Sequence, residues 1–239
     1  MSEKQQIGSH TGRLASHAKE TGDASSKTEL TEAIREIGVI ATVRVPNEQH
    51  LLPVVKALIE GGVRAVELAY TTTRSAGSPI QELKESGLLI GTGAVTRSAQ
   101  AREAHVFGAD FITASVTTPD VVLACEEMNI PCILSALTPT EVWRAHAMAA
   151  DFVKITAAEA LGGPPYIRSL RETLPAVRLL GADMPLDGYI PYLDAGVEVL
   201  DFQSSLDLAR LVEGEAWSEI SRRAARIVST HEDWKAKNR

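Results

Sequence analysis

Cysteine is nearly absent from this 239-residue chain, which holds only Cys125 and Cys132. Two cysteines cannot build the disulfide framework of a small secreted fold, so a reducing, cytoplasmic setting is expected. No apolar run approaches the roughly 20 residues that a bilayer-spanning helix requires, so no membrane role is expected. Positive charge is also scarce: 24 Lys and Arg face 31 Asp and Glu, a net charge of -7. With no basic stripe in the chain, a nucleic-acid partner is not expected. Metal-binding spacing is missing too. His10, His17, His50, His105, His146 and His231 are scattered, with no HxH or HExxH pattern, so no metal site is expected. The nucleophile elbow is absent, and Gly91-Thr92-Gly93 is too short for a dinucleotide fingerprint. Trp143, Trp217 and Trp234 are too dispersed to form a stacking platform.

What remains is ordinary globular material, 44% hydrophobic and 23% charged. Residues 1–28 are polar, without apolar periodicity or the apolar segment of a signal peptide, and read as a disordered tail. From residue 29 the chain becomes rhythmic. Candidate strands are Ile37–Arg44, Val63–Tyr70, Leu88–Gly93, Asp110–Ser115, Ile130–Ala136, Asp151–Thr156, Ala176–Gly181 and Val197–Gln203. Each gap leaves room for one helix, and Leu51, Val54, Val55, Leu58 and Ile59 mark one face of the first. Glycines at Gly61-Gly62, Gly87, Gly108 and Gly196 supply helix C-cap chemistry before the next strand. Short apolar strands alternating with helices imply a covered parallel sheet. Eight near-equal units, with flanking helices at about 29–36 and 215–236, favour a (β/α)8 TIM barrel over an open doubly wound sheet. No linker interrupts them, so residues 29–239 are expected to form one domain.

Of the eight lysines in the chain, Lys154 alone sits inside a strand pattern, in Ala150-Asp-Phe-Val-Lys-Ile-Thr156. Burying an amine is costly unless it is paired. Burial that lowers its pKa would make it a nucleophile towards carbonyl groups. Barrel active sites lie at the C-terminal ends of the strands. By that rule Arg44 ends the first strand, Glu67 lies in the second ahead of Tyr70-Thr71-Thr72-Thr73, and Lys154 lies in the sixth. An amine to condense with a keto group, a carboxylate to move protons and a guanidinium to hold a carboxylate form a coherent set. The competing reading is a structural Lys–Glu pair, which desolvation makes a poor stabiliser.

The order of these residues resembles the class I aldolases that cleave 2-keto-3-deoxy-6-phosphogluconate and 4-hydroxy-2-oxoglutarate. Glu67, Gly91-Thr-Gly-Ala-Val95, Thr138-Pro-Thr-Glu141, Phe152-Val-Lys-Ile155 and Ala158-Glu159 carry the resemblance, which runs from about residue 30 to about residue 230. It implies a (β/α)8 barrel, a homotrimer, and no metal or organic cofactor. It also implies that Lys154 forms the Schiff base with a small 2-keto acid, that Glu67 shuttles protons, and that Arg44 and Thr71 contact substrate oxygens. Pyruvate would be the product, within carbohydrate metabolism.

Several positions depart from the family pattern. Ala94 stands where a carboxylate-binding Thr is usual. Thr92, two residues earlier, is expected on the same strand face as a substitute. Thr156-Ala157 and Leu134-Ser135 replace Phe-Pro and Pro-Gly. Gly181-Ala-Asp-Met184 and Asp201-Phe-Gln-Ser204 replace the glycine-rich turns that receive phosphate, and bring negative charge there. A non-phosphorylated or otherwise altered substrate is therefore expected. The alternatives are a catalytically silent or weakly active barrel with a binding or assembly role, and a barrel enzyme using Asp183 and Asp201 as metal ligands.

Overall fold

The structure, a computed structural model, describes residues 26–75 and 77–238; of residues 75 and 77–79 only the backbone is described. Most of the expected tail, residues 1–25, lies outside the described residues. Its last part is helical instead. The first helix, α1 (Lys27–Ile37), begins two residues before the expected boundary because Ser26 and Glu29 form a capping box across its first turn. Gly38 then ends the helix in the left-handed conformation, φ 68°.

Eight strands follow and pair in sequence order into a closed parallel barrel. They are β1 (Val39–Val43), β2 (Ala65–Ala69), β3 (Leu89–Val95), β4 (Phe111–Ala114), β5 (Cys132–Ala136), β6 (Phe152–Ile155), β7 (Leu179–Gly181) and β8 (Val197–Phe202). β1 closes on β8 through Val39–Leu200, Ile40–Asp201 and Ala41–Phe202. The connecting helices are α2 (Leu51–Glu60), α3 (Tyr70–Ser75), α4 (Gly77–Glu85), α5 (Ser98–Val106), α6 (Pro119–Met128), α7 (Pro139–Ala147), α8 (Pro164–Thr173), α9 (Ile190–Asp194) and α10 (Leu208–Glu213). The last helix, α11 (Trp217–Lys237), packs against α2. Seven of the eight expected strands enclose the observed ones. β3 runs two residues past its expected end, through an irregularity between Thr92 and Val95.

Two details fix the register. The Asp110 carboxylate accepts the Ile90 backbone N–H at 2.9 Å, and Asp151 accepts that of Cys132 at 2.8 Å. Each aspartate at a strand's start thus holds the preceding strand. The Thr138-Pro-Thr-Glu141 motif is the capping box of α7, with Pro139 at its first turn.

The barrel interior is layered. Ile40, Ala65, Phe111, Ile133, Phe152, Leu180 and Val199 form an apolar floor, closed from below by Ile34 of α1. Side chains on a strand alternate, so the residues two positions further along point inward above that floor. These are Thr42, Glu67, Thr113, Ser135, Lys154 and Asp201. Six strands therefore turn from apolar to polar at the same height, and that step positions the site.

Candidate active site

Lys154 lies at the centre of this polar layer, 7% exposed. Its Nζ stands 3.0 Å from Glu67 Oε2 and 3.3 Å from Oε1. On its other side Asp201 Oδ2 is 2.9 Å away. Glu67 and Asp201 are 4% and 2% exposed. The Thr42 hydroxyl donates to Asp201 Oδ1 at 2.5 Å, which leaves Oδ2 directed at the amine. One ammonium between two carboxylates has a formal charge of -1.

The electrostatics correct the expectation for Lys154. Burial by itself would lower the amine's pKa, but the charges of Asp201 and Glu67 and their hydrogen bonds outweigh it. The amine is held well above its ordinary range. At rest it is an ammonium, and it becomes nucleophilic only after passing a proton to a neighbour.

The glycines of β3 make room for this arrangement. A β-carbon at Gly93 would collide with Glu67 Oε1, and one at Gly91 would collide with the Phe111 ring. The Gly-Thr-Gly motif is thus a packing device, allowing a carboxylate and an aromatic ring to lie over a strand.

The structure brings Lys154 and Glu67 together, while Arg44 and Thr71 follow the C-terminal ends of β1 and β2. Arg44 follows β1, is exposed, and points its Nε at Gln203 Oε1, 3.4 Å away. Thr71 lies exposed in the first turn of α3, four residues beyond Glu67. Thr92 is not brought to the group. It is fully buried on the outer side of β3, with its hydroxyl 3.0 Å from that of Thr73 on α3. The expectation that Thr92 shares the face of Ala94 does not hold, because Ala94 adopts φ 59° and breaks the strand's alternation.

Several members of the layer were not expected there. Asp201 was read as an anion at the strand end, yet it contacts the amine. Thr113 of β4 is 3% exposed, and its hydroxyl has no hydrogen-bond partner among the described residues. A buried, unpartnered hydroxyl in a polar layer is a ready contact for a bound molecule.

Asp183 and Asp201 are held by different partners. Asp183, at φ 51°, accepts the Ser204 backbone N–H and hydroxyl, both at 2.7 Å. Among the described residues, no group of three or more His, Cys, Asp or Glu converges to hold a metal.

The family model described as "Aldolase: KDPG and KHG aldolase" matches residues 30–222. The chain belongs to the KDPG and KHG aldolase family. A 2-dehydro-3-deoxy-phosphogluconate aldolase of Treponema pallidum is 31% identical over 152 residues, 63% of this chain and 72% of the relative. An enzyme of the same name from Haemophilus influenzae is 24% identical over 203 residues, 84% of this chain and 95% of the relative. Among solved structures, the KDPG aldolase of Legionella pneumophila, with pyruvate captured as a covalent carbinolamine, superposes with a TM-score of 0.71 at 20% identity. That match covers 82% of this chain and 96% of the other. The fold of a KDPG and KHG aldolase is therefore shared over most of this chain, and this member of the family is a lyase of the aldolase type.

Proposed function

We propose that this protein is a class I aldolase that cleaves a 2-keto-4-hydroxy acid without a phosphate group into pyruvate and an aldehyde. The observation that carries the reading is Lys154, buried at the barrel mouth within hydrogen-bond reach of Glu67. The amine condenses with the C2 keto group, and the resulting iminium is an electron sink. Glu67 takes the proton of the C4 hydroxyl, the C3–C4 bond breaks, and its electron pair passes to nitrogen as an enamine. Glu67 returns the proton to C3, and hydrolysis frees pyruvate and Lys154. Arg44 and Thr71, at the rim, face the oxygens of the substrate. The open hydroxyl of Thr113 supports a further polar contact inside the barrel.

The substrate's lack of phosphate is supported by the loop after β7. Barrels of this kind often bind phosphate on backbone amides after the last two strands. Here the Ser204 amide is taken by the chain's own Asp183 carboxylate, and a phosphate would meet its negative charge. A cytoplasmic homotrimer completes the proposal. Val106 on α5, Leu123 on α6 and Trp143 on α7, all exposed, support association through neighbouring helices.

One observation favours a second reading, a barrel without turnover. The amine is held charged by two carboxylates, as in a structural ion triad. Measuring pyruvate release from a panel of 2-keto-4-hydroxy acids, with and without a terminal phosphate, decides between them. Release from the unphosphorylated acids is expected. Release only from phosphorylated ones would overturn the substrate assignment, and none from any would favour the silent barrel.

A further inference from the structure

Imine formation from an ammonium has a fixed proton count. The amine arrives with three protons and the iminium keeps one. The other two must reach the carbonyl oxygen, which leaves as water. Two carboxylates stand against Lys154 Nζ, Glu67 Oε2 at 3.0 Å and Asp201 Oδ2 at 2.9 Å. We propose that Asp201 is a second catalytic acid–base at Lys154, and that it and Glu67 each carry one of these two protons.

The steps balance. Asp201 takes one proton from the ammonium, and the neutral amine adds its lone pair to C2. The carbonyl π pair moves to oxygen, which takes that proton back from Asp201 to give the carbinolamine hydroxyl. Glu67 takes the second proton from nitrogen and delivers it to the hydroxyl. Water then leaves with the C–O bonding pair while the nitrogen lone pair forms the C=N bond. Both carboxylates end ionised, with one positive charge on the iminium, as at the start.

The surroundings of Asp201 suit this role. Thr42 holds Oδ1 through its hydroxyl at 2.5 Å and so keeps Oδ2 on the amine. Asp201 reaches this place because it lies two residues beyond Val199 of the floor. Its oxygens make no salt bridge except with Lys154, so the carboxylate is free of competing cations among the described residues.

This assignment rests on the Schiff-base reading, and the experiment separates the two. The rate at which borohydride and pyruvate trap Lys154 is measured by mass spectrometry in the wild type, D201N and T42V, each checked for native circular dichroism. As an electrostatic neighbour alone, Asp201 would hold the proton on the ammonium, and D201N would trap faster at neutral pH. As a proton carrier its loss slows trapping by about 100-fold, the low end of acid–base catalysis. T42V, which keeps the carboxylate but loosens it, is expected to fall between the two. D201N trapping at the wild-type rate or faster would overturn the proposal. Should D201N fail to fold, T42V decides: slower trapping upholds the role, and an unchanged rate overturns it. No adduct in the wild type would sink the Schiff-base reading, and this assignment with it.

Discussion

The charge at Lys154 is balanced by two buried anions, and that balance makes its removal costly. Lys154→Met leaves the buried Glu67 and Asp201 carboxylates without their cation, which is expected to cost about 3–5 kcal/mol in urea unfolding. A loss below about 1 kcal/mol would mean that the carboxylates find other partners. Gly93→Ala tests the space above β3. Its β-carbon must push Glu67 aside, so kcat is expected to drop about 100-fold while the barrel still folds. The sequence exposed Lys154 and Glu67 because each is a charge inside an apolar strand. Asp201, between Leu200 and Phe202, carried the same signal. It was missed because its register against β1, Ile40 opposite Asp201, exists only once the barrel closes. The reversal at Ala94 had no signal at all, since alanine has no preference for positive φ.

Among the elements, α11 and α1 meet at His231 and Gly38. The imidazole is buried, stacks on Trp234, and fills the space where a side chain at Gly38 would sit. Burial lowers its pKa from 6.5 to about 4, with Lys235 adding to the effect and Glu232 opposing it. The folded state then binds fewer protons than the unfolded state between these values. The stability contribution is complete above 6.5 and is lost as pH falls towards 4, at about 2 kcal/mol once partial screening is allowed for. His231→Leu is expected to remove that portion of the acid sensitivity, read from urea midpoints at pH 7 and pH 4.5. An unchanged pH dependence would place the sensitivity elsewhere. Strand positions were legible because apolar runs and glycine caps recur at near-even spacing. Their ends were less so: β7 keeps only Leu179–Gly181 of an expected six residues, as Val177 turns its carbonyl to Arg171 at 2.6 Å instead of to a strand.

At the scale of the whole molecule, order along the chain translates directly into a closed sheet, so the fold was the most legible feature. Eight parallel strands in sequence order permit closure without crossing connections. Assembly is a separate question, because it depends on surface residues that no periodicity marks. If Leu123 and Trp143 lie in a subunit interface, the double substitution of Leu123→Glu and Trp143→Glu is expected to convert a trimer to monomers in light scattering, with secondary structure kept. A wild-type monomer would contradict the assembly proposal.

The central claim is that the amine at the middle of the barrel performs covalent chemistry. It is tested most directly by incubating the folded protein with pyruvate and borohydride and measuring the mass of the peptide containing Lys154. A reduced pyruvyl adduct on Lys154 is expected, absent without pyruvate and absent in Lys154→Met. An unmodified Lys154 in a folded, pyruvate-saturated sample would contradict it.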